Sequence, residues 1–224
     1  MGTGDASDPV VTLDDVRAEV DALLGEAEDG ATLDRLRTAF VGLAVHATPT
    51  VLDGPGITRC SELALDAGAS PTQIHEAIMF VSGIGLHTVI EASRRLGRLL
   101  SSRADPLMSE PLDERREALL AARVDTELAP FEQAVPGFFE TLVRLSPGGF
   151  EAFFEYRAAA WKDPQLDPLT KELMAIAVDA VPTHRFLPTL RLHVKRAVEL
   201  GAGRREIGEA LEIAAAAPPH PGVR

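Results

Sequence analysis

The sequence predicts an all-helical protein built from two copies of one helical unit, and three observations support this. Helix signals recur along the chain, and no stretch shows the sustained alternation of a strand. Aromatic residues make up only 5% of the chain, so the core must be aliphatic, which suits packed helices. A gapless alignment of the two halves is identical at roughly a quarter of about sixty positions, a level typical of an internal repeat.

The repeated residues fall at one constant offset in the two halves of the chain. They include Leu33-Asp34 with Leu166-Asp167, Pro49-Thr50 with Pro182-Thr183, Gly68-Ala69 with Gly201-Ala202, and Glu76-Ala77 with Glu209-Ala210. At two positions the copies differ in chemistry, because Glu172 faces Ala39 and His193 faces Cys60. We therefore expect a degenerate first repeat with an N-terminal helix (1–100), a linker (101–112) and a second repeat that carries the site (113–224).

Capping residues and turn residues predict the helices of the first half. Thr12, with Asp15 three residues on, has the spacing of a capping box and begins a helix that runs to about Gly25. The second helix is predicted from Thr32 to Ala47, and a loop through residues 53–56 follows it. The remaining helices are predicted at 57–67, from Ser70-Pro71 onward, and at 86–100.

The second half begins with the linker, in which serines and two prolines interrupt the helical pattern. Helices are then predicted at 113–124, 132–145 and 150–161. Asp167-Pro168 caps the next helix, which reaches Val181. Two further helices, at 187–200 and 204–217, complete the second copy.

Glu172 and His193 are the candidate catalytic residues. On a helical wheel Glu172 borders a broad apolar stripe, and desolvation there would raise its pKa toward neutrality. His193 lies within the apolar arc of the following helix, where an imidazole serves either as a core residue or as an acid or base. Alternatively, Glu172 is solvated and pairs with Lys171 or Arg185. The two helices are consecutive, so we expect the two side chains to lie within hydrogen-bonding distance.

Three motifs of the second copy carry a resemblance to a known superfamily: LDPLTKELMAIAVDA (166–180), LHVKRAVELGA (192–202) and EIGEAL (206–211). With these motifs the second copy resembles the carboxymuconolactone decarboxylase and alkylhydroperoxidase D superfamily, and Trp161 fits the decarboxylase branch. It implies two tandem alkylhydroperoxidase D-like units related by a pseudo-two-fold axis. It also implies that Glu172 and His193 occupy the acidic and histidine positions of a proton relay.

Two departures from the superfamily pattern bear on the reaction. Phe186 and Thr189 stand where the peroxidase branch has its Cys-x-x-Cys pair, so the disulfide-linked cycle cannot run there. Thr189 also replaces the glutamate that the decarboxylase branch has one turn before its histidine.

The resemblance implies a lyase (decarboxylase) or isomerase, free of cofactors, that acts on a small organic acid or lactone. The alternatives are a peroxide reductase that uses Cys60 and a non-catalytic binding module, although we expect Cys60 to be a small buried residue.

The remaining polar residues of interest are candidates for substrate binding. We assign this role to Thr189, to His184, which lies near a loop start, and to Tyr156 and Trp161 on one helix. His87 and His220 match across the repeat, and we expect each to have a structural role in which it contacts carbonyls at a helix end. No pair of histidines has the spacing of a zinc site, so neither a metal nor another cofactor is expected.

Charge and hydropathy restrict the partners. A net charge of −12 disfavours nucleic acids and anionic membranes, and no apolar run reaches the ~18 residues that span a bilayer. The N-terminus has neither the basic nor the apolar region of a signal peptide, so a cytoplasmic location is expected. We also expect a homo-oligomer, either a trimer or a dimer, with apolar contacts from 138–145 and 150–154.

Overall fold

The computed structural model describes residues 9–123, 129–162 and 164–222, with the backbone alone at 160–162. These residues contain helices and no strand, which confirms the predicted fold class. No helix among them is both long and apolar enough to cross a membrane. The helices are α1 (Leu13–Leu24), α2 (Arg35–Ala47), α3 (Gly54–Asp66), α4 (Pro71–Ser82), α5 (Leu86–Ser102), α6 (Pro106–Ser109), α7 (Glu114–Arg123), α8 (Ala129–Ala134), α9 (Phe138–Leu145), α10 (Pro147–Lys162), α11 (Pro168–Ala180), α12 (Leu187–Glu199) and α13 (Arg204–Ala215).

The repeat in the sequence is a repeat in the structure, because α2, α3 and α4 match α11, α12 and α13 end for end. The contacts between the two units are reciprocal. The amide of Leu33 donates to Glu209 at 2.7 Å, and the matched amide of Leu166 donates to Glu76 at 2.9 Å. Such exchanged contacts are expected of two equivalent units facing each other across a two-fold axis.

The principal core lies where α2 packs against α11, with α3 and α4 on one side and α12 and α13 on the other. Residues 170–180 of α11 are all buried, because neighbouring helices cover every face of this helix. Three of them are Lys171, Glu172 and Asp179, which must find partners inside the protein. The burial of α11 therefore sets the positions of the polar groups described below.

A second core forms among α5, α7, α8, α9 and α10, and it corrects the expectation about the oligomer contacts. The apolar faces of 138–145 and 150–154 pack against each other inside the chain rather than facing a partner subunit. Their phenylalanines are at most 6% exposed: Phe138, Phe139, Phe150, Phe153 and Phe154. The oligomeric state itself stays a prediction.

Several predicted helix boundaries are wrong, including the start of α10 at Pro147 rather than at residue 150, and three of them have local reasons. The second helix begins at Arg35, because Asp34 rather than Thr32 caps it. The third begins at Gly54, because Pro55 starts a helix where a loop was expected. The predicted helix at 132–145 is two helices, since Gly137 adopts a left-handed conformation (φ 76°) after Pro136. Val124, at the end of another predicted helix, lies outside the described residues.

Candidate functional site

Glu172 of α11 and His193 of α12 form a hydrogen-bonded pair at the surface between these two helices. Nδ1 of His193 lies 2.6 Å from Oε2 of Glu172, as the sequence analysis expected. The Glu172 side chain is 2% exposed, whereas that of His193 is 25% exposed. A carboxylate can only accept, so Nδ1 donates the hydrogen bond and Nε2 remains available for proton exchange with a ligand.

The surroundings of His193 favour its protonated form. Burial alone would lower its pKa, but the hydrogen bond that His193 donates to Glu172 and the negative charges of Glu172 and Asp179 raise the pKa above the ordinary value of 6.5. The guanidinium of Arg196, which lies 3.5 Å from Oε1 of Glu172, acts in the opposite direction. The pair can therefore present an imidazolium proton near neutral pH.

Lys171 and Arg185, the alternative partners proposed for Glu172, both bind other groups. Lys171 is fully buried and forms an ion pair with Glu76 of the first unit. Arg185 donates to the carbonyl of Val11 at 2.8 Å. The solvated interpretation of Glu172 is thus wrong, because α11 is covered on all sides.

A second polar cluster surrounds Asp179, the last residue but one of α11. Oδ2 of Asp179 accepts a hydrogen bond of 2.6 Å from the hydroxyl of Thr189. Oδ1 lies 3.6 Å from Nδ1 of His87 and 3.7 Å from Nε2 of His184. The two imidazoles are in turn joined by a hydrogen bond of 2.8 Å, and the ring of Phe186 packs against both of them.

Burial shifts the pKa of every titratable group in this cluster. It raises the pKa of Asp179 to about 7, although His193 and Thr189 oppose the shift. It lowers the pKa of His87 to about 3, with smaller contributions from His184 and His193, and lowers the pKa of His184 to about 4. Both imidazoles are therefore neutral at pH 7, and a neutral imidazole has a lone pair with which it can bind a metal ion.

The structure brings some of the predicted substrate-binding residues together and separates others. His184 and Thr189 both contact the Asp179 cluster. Tyr156 is 41% exposed, and its hydroxyl lies 2.5 Å from that of Ser82, so among the described residues its hydrogen bond is with α4 rather than with the cluster. The side chain of Trp161 lies outside the described residues. The binding roles of all four stay predictions.

Asp179 and His87 are the residues that the sequence analysis did not assign to the site. Asp179 was given no role, and His87 was matched with His220 by the repeat. His220 is exposed and accepts a hydrogen bond from the amide of Gly222, so the matched histidines have different surroundings. A charged residue near the end of an otherwise buried helix was the available signal for Asp179.

The first unit has a cavity at the positions that match Glu172 and His193, but it has neither of these two residues. Ala39 and Cys60 line a cavity of about 380 Å³ at the positions of Glu172 and His193. His46 matches Asp179, and its Nδ1 lies 2.9 Å from a carboxylate oxygen of Asp53. Cys60 is buried, and its burial raises the pKa of the thiol, which makes it a poor nucleophile.

Comparisons with known proteins connect this geometry to a family. Residues 147–221 match the model of the Carboxymuconolactone decarboxylase family. The crystal structure of a protein from Burkholderia xenovorans LB400, provisionally assigned as a gamma-carboxymuconolactone decarboxylase subunit, aligns with this chain at a TM-score of 0.69. The two are 31% identical, and the alignment covers 92% of this chain and 91% of that one. No curated protein matches the chain.

Proposed function

The chain belongs to the carboxymuconolactone decarboxylase family, and from this premise we propose that it is a lyase that decarboxylates a small carboxylated lactone or a related organic acid. The hydrogen bond between Glu172 and His193 is the observation that carries the proposal. It joins a buried carboxylate to a partly exposed imidazole, an arrangement that directs one ring nitrogen at a ligand.

The proposed reaction has two steps. The bond between the carboxylate carbon and the neighbouring carbon breaks, carbon dioxide leaves, and the electron pair stays on the substrate as an enolate. Nε2 of His193 then donates its proton to that carbon, and solvent restores the proton to the imidazole. His193 is the proposed catalytic acid, and its raised pKa favours the charged imidazolium that this role requires.

Glu172 acts through His193 and is therefore a positioning residue. Its acceptor oxygen fixes which nitrogen of the ring faces the ligand, and its charge supports the imidazolium. Because the carboxylate is 2% exposed, water screens this interaction poorly, which makes it stronger than the same pair at the surface.

The proposal is tested with gamma-carboxymuconolactone and a panel of small carboxylated lactones and keto acids. Turnover is measured as release of carbon dioxide, and transfer of solvent deuterium to the product carbon is followed by NMR. His193→Ala and Glu172→Gln should each lower turnover by about 10²–10⁴-fold. Their double variant should be little worse than the more damaging single one, because residues that act as a unit are not additive.

Cys60→Ala is the matched control, since Cys60 stands in the first unit where His193 stands in the second. This variant should keep the wild-type turnover. If folded wild-type protein turns over no compound of the panel, the non-catalytic binding module is the better description. If His193→Ala retains full turnover, the relay is wrong even though the protein is an enzyme.

A further inference from the structure

We propose that His87, Asp179 and His184 form a binding site for a divalent transition-metal ion, with Zn²⁺ as the probe. The ligands are Nδ1 of His87, Nε2 of His184 and Oδ1 of Asp179, atoms that lie within 4.8 Å of one another. This inference replaces the expectation of a metal-free protein, which rested on the spacing of the histidines and on the lack of a further carboxylate to complete a site.

The distances among the three atoms fit one metal ion. They are 2.8 Å between the two nitrogens, and 3.6 Å and 3.7 Å from Oδ1 to the nitrogens of His87 and His184. A triangle with these sides has a circumradius of about 2.0 Å, so a single point lies at that distance from all three atoms. Zinc binds imidazole nitrogen and carboxylate oxygen at about 2.0–2.2 Å. An ion bound by all three atoms would therefore lie close to the plane that these atoms define.

The carboxylate of Asp179 is the second observation, because one of its oxygens is buried without a hydrogen-bond partner. Asp179 is fully buried, and Oδ1 faces the two histidines from beyond hydrogen-bonding distance. A buried carboxylate oxygen without a donor costs free energy, and a cation at this point would remove that cost. The other oxygen accepts from Thr189, which is the outer contact that typically orients a ligating carboxylate.

The donor set selects the class of ion. Two neutral imidazoles and one carboxylate suit zinc or iron(II), whereas magnesium and calcium prefer oxygen donors. Three protein ligands leave at least one coordination position open, as in catalytic rather than structural zinc sites. The side chains of His87 and His184 are 11% and 14% exposed, so the cluster meets solvent at one edge.

The test of metal binding is independent of the proposed decarboxylation, because it uses no substrate. Full-length protein is dialysed against a chelator, and Zn²⁺ is titrated into it by calorimetry. The wild type should bind one equivalent. His184→Ala and Asp179→Asn should each weaken binding by more than about 100-fold, and Thr189→Val by about 10–100-fold, the usual effect of losing an outer contact.

His220→Ala is the matched control, since His220 is the repeat counterpart of His87 but is exposed. It should bind Zn²⁺ as the wild type does. Circular dichroism checks that each variant is folded, and His184→Ala decides the result if the buried Asp179→Asn fails to fold. The proposal is overturned if the wild type takes up no stoichiometric Zn²⁺. It is equally overturned if His184→Ala binds as tightly as the wild type, or if His220→Ala loses the same binding.

Discussion

The two units should differ sharply in the stability that one matched glutamate provides. Glu76 and Glu209 occupy equivalent positions, and each accepts a backbone amide of the other unit, from Leu166 and Leu33. Only Glu76 has a buried ammonium beside it, because Lys171 is 0% exposed and pairs with its carboxylate. We predict that Glu76→Gln is far more destabilising than Glu209→Gln.

The magnitudes follow from what each substitution leaves behind. Glu76→Gln neutralises the carboxylate and leaves the ammonium of Lys171 buried without its counter-charge, which costs about 3–5 kcal/mol. Glu209→Gln keeps a carbonyl oxygen that can still accept from Leu33, so only a charge-assisted hydrogen bond weakens, at a cost of about 0.5–1.5 kcal/mol. The two free energies of unfolding should thus differ by roughly 2–4 kcal/mol.

Urea denaturation measures these free energies, and an unchanged dependence on urea would show that both variants unfold as the wild type does. The double variant Glu76→Gln with Lys171→Met should recover part of the loss, because it removes the buried ammonium that has lost the charge of Glu76 and fills the same space. Losses within about 1 kcal/mol of each other would refute the assignment of Lys171 as a buried, charged partner of Glu76.

Three further predictions concern packing, the thiol and pH. Gly203→Ala should destabilise the protein by about 1–3 kcal/mol in thermal unfolding, because its Cβ would lie 2.5 Å from Cα of Gly30. Gly208→Ala, with open space around it, should be neutral or stabilise by up to about 1 kcal/mol, and equal losses would contradict the packing argument. Cys60 should react slowly with a thiol reagent, because burial raises the pKa of its thiol, and rapid labelling of folded protein would support the peroxide-reductase alternative. Turnover should fall as the pH rises through the pKa of His193, which lies above 6.5, and Glu172→Gln should move this fall to lower pH. Identical pH profiles of the two proteins would show that Glu172 does not influence the pKa of His193.

The fold was predictable because the repeat and the caps are local signals. Thr12 and Asp15 form the expected capping box, and Ser70 forms one with Gln73. The exact correspondence of α2–α4 with α11–α13 follows from the gapless alignment. The boundaries at Gly54 and Gly137 could not be predicted with the same certainty, since proline and glycine can start, break or follow a helix.

The candidate site was only half predictable from the sequence. Glu172 and His193 lie on consecutive helices that match a repeat, so their proximity follows from the order of the helices. The cluster around Asp179 joins α5, α11 and the loop after it, and residues 97 positions apart, His87 and His184, meet there. Contacts of this range depend on how the two cores pack together, which neither periodicity nor spacing records.

The measurement closest to the central claim is the titration of His193 by NMR, in metal-free protein with labelled histidine and without substrate. The charged or titratable groups that influence it are Glu172, Asp179 and Arg196. We predict that the imidazole titrates above 6.5 in the wild type, that Glu172→Gln lowers this pKa, and that the signal of exposed His220 is the same in both proteins. A His193 pKa below 6.5 in the wild type, or one that Glu172→Gln leaves unchanged, would contradict the relay.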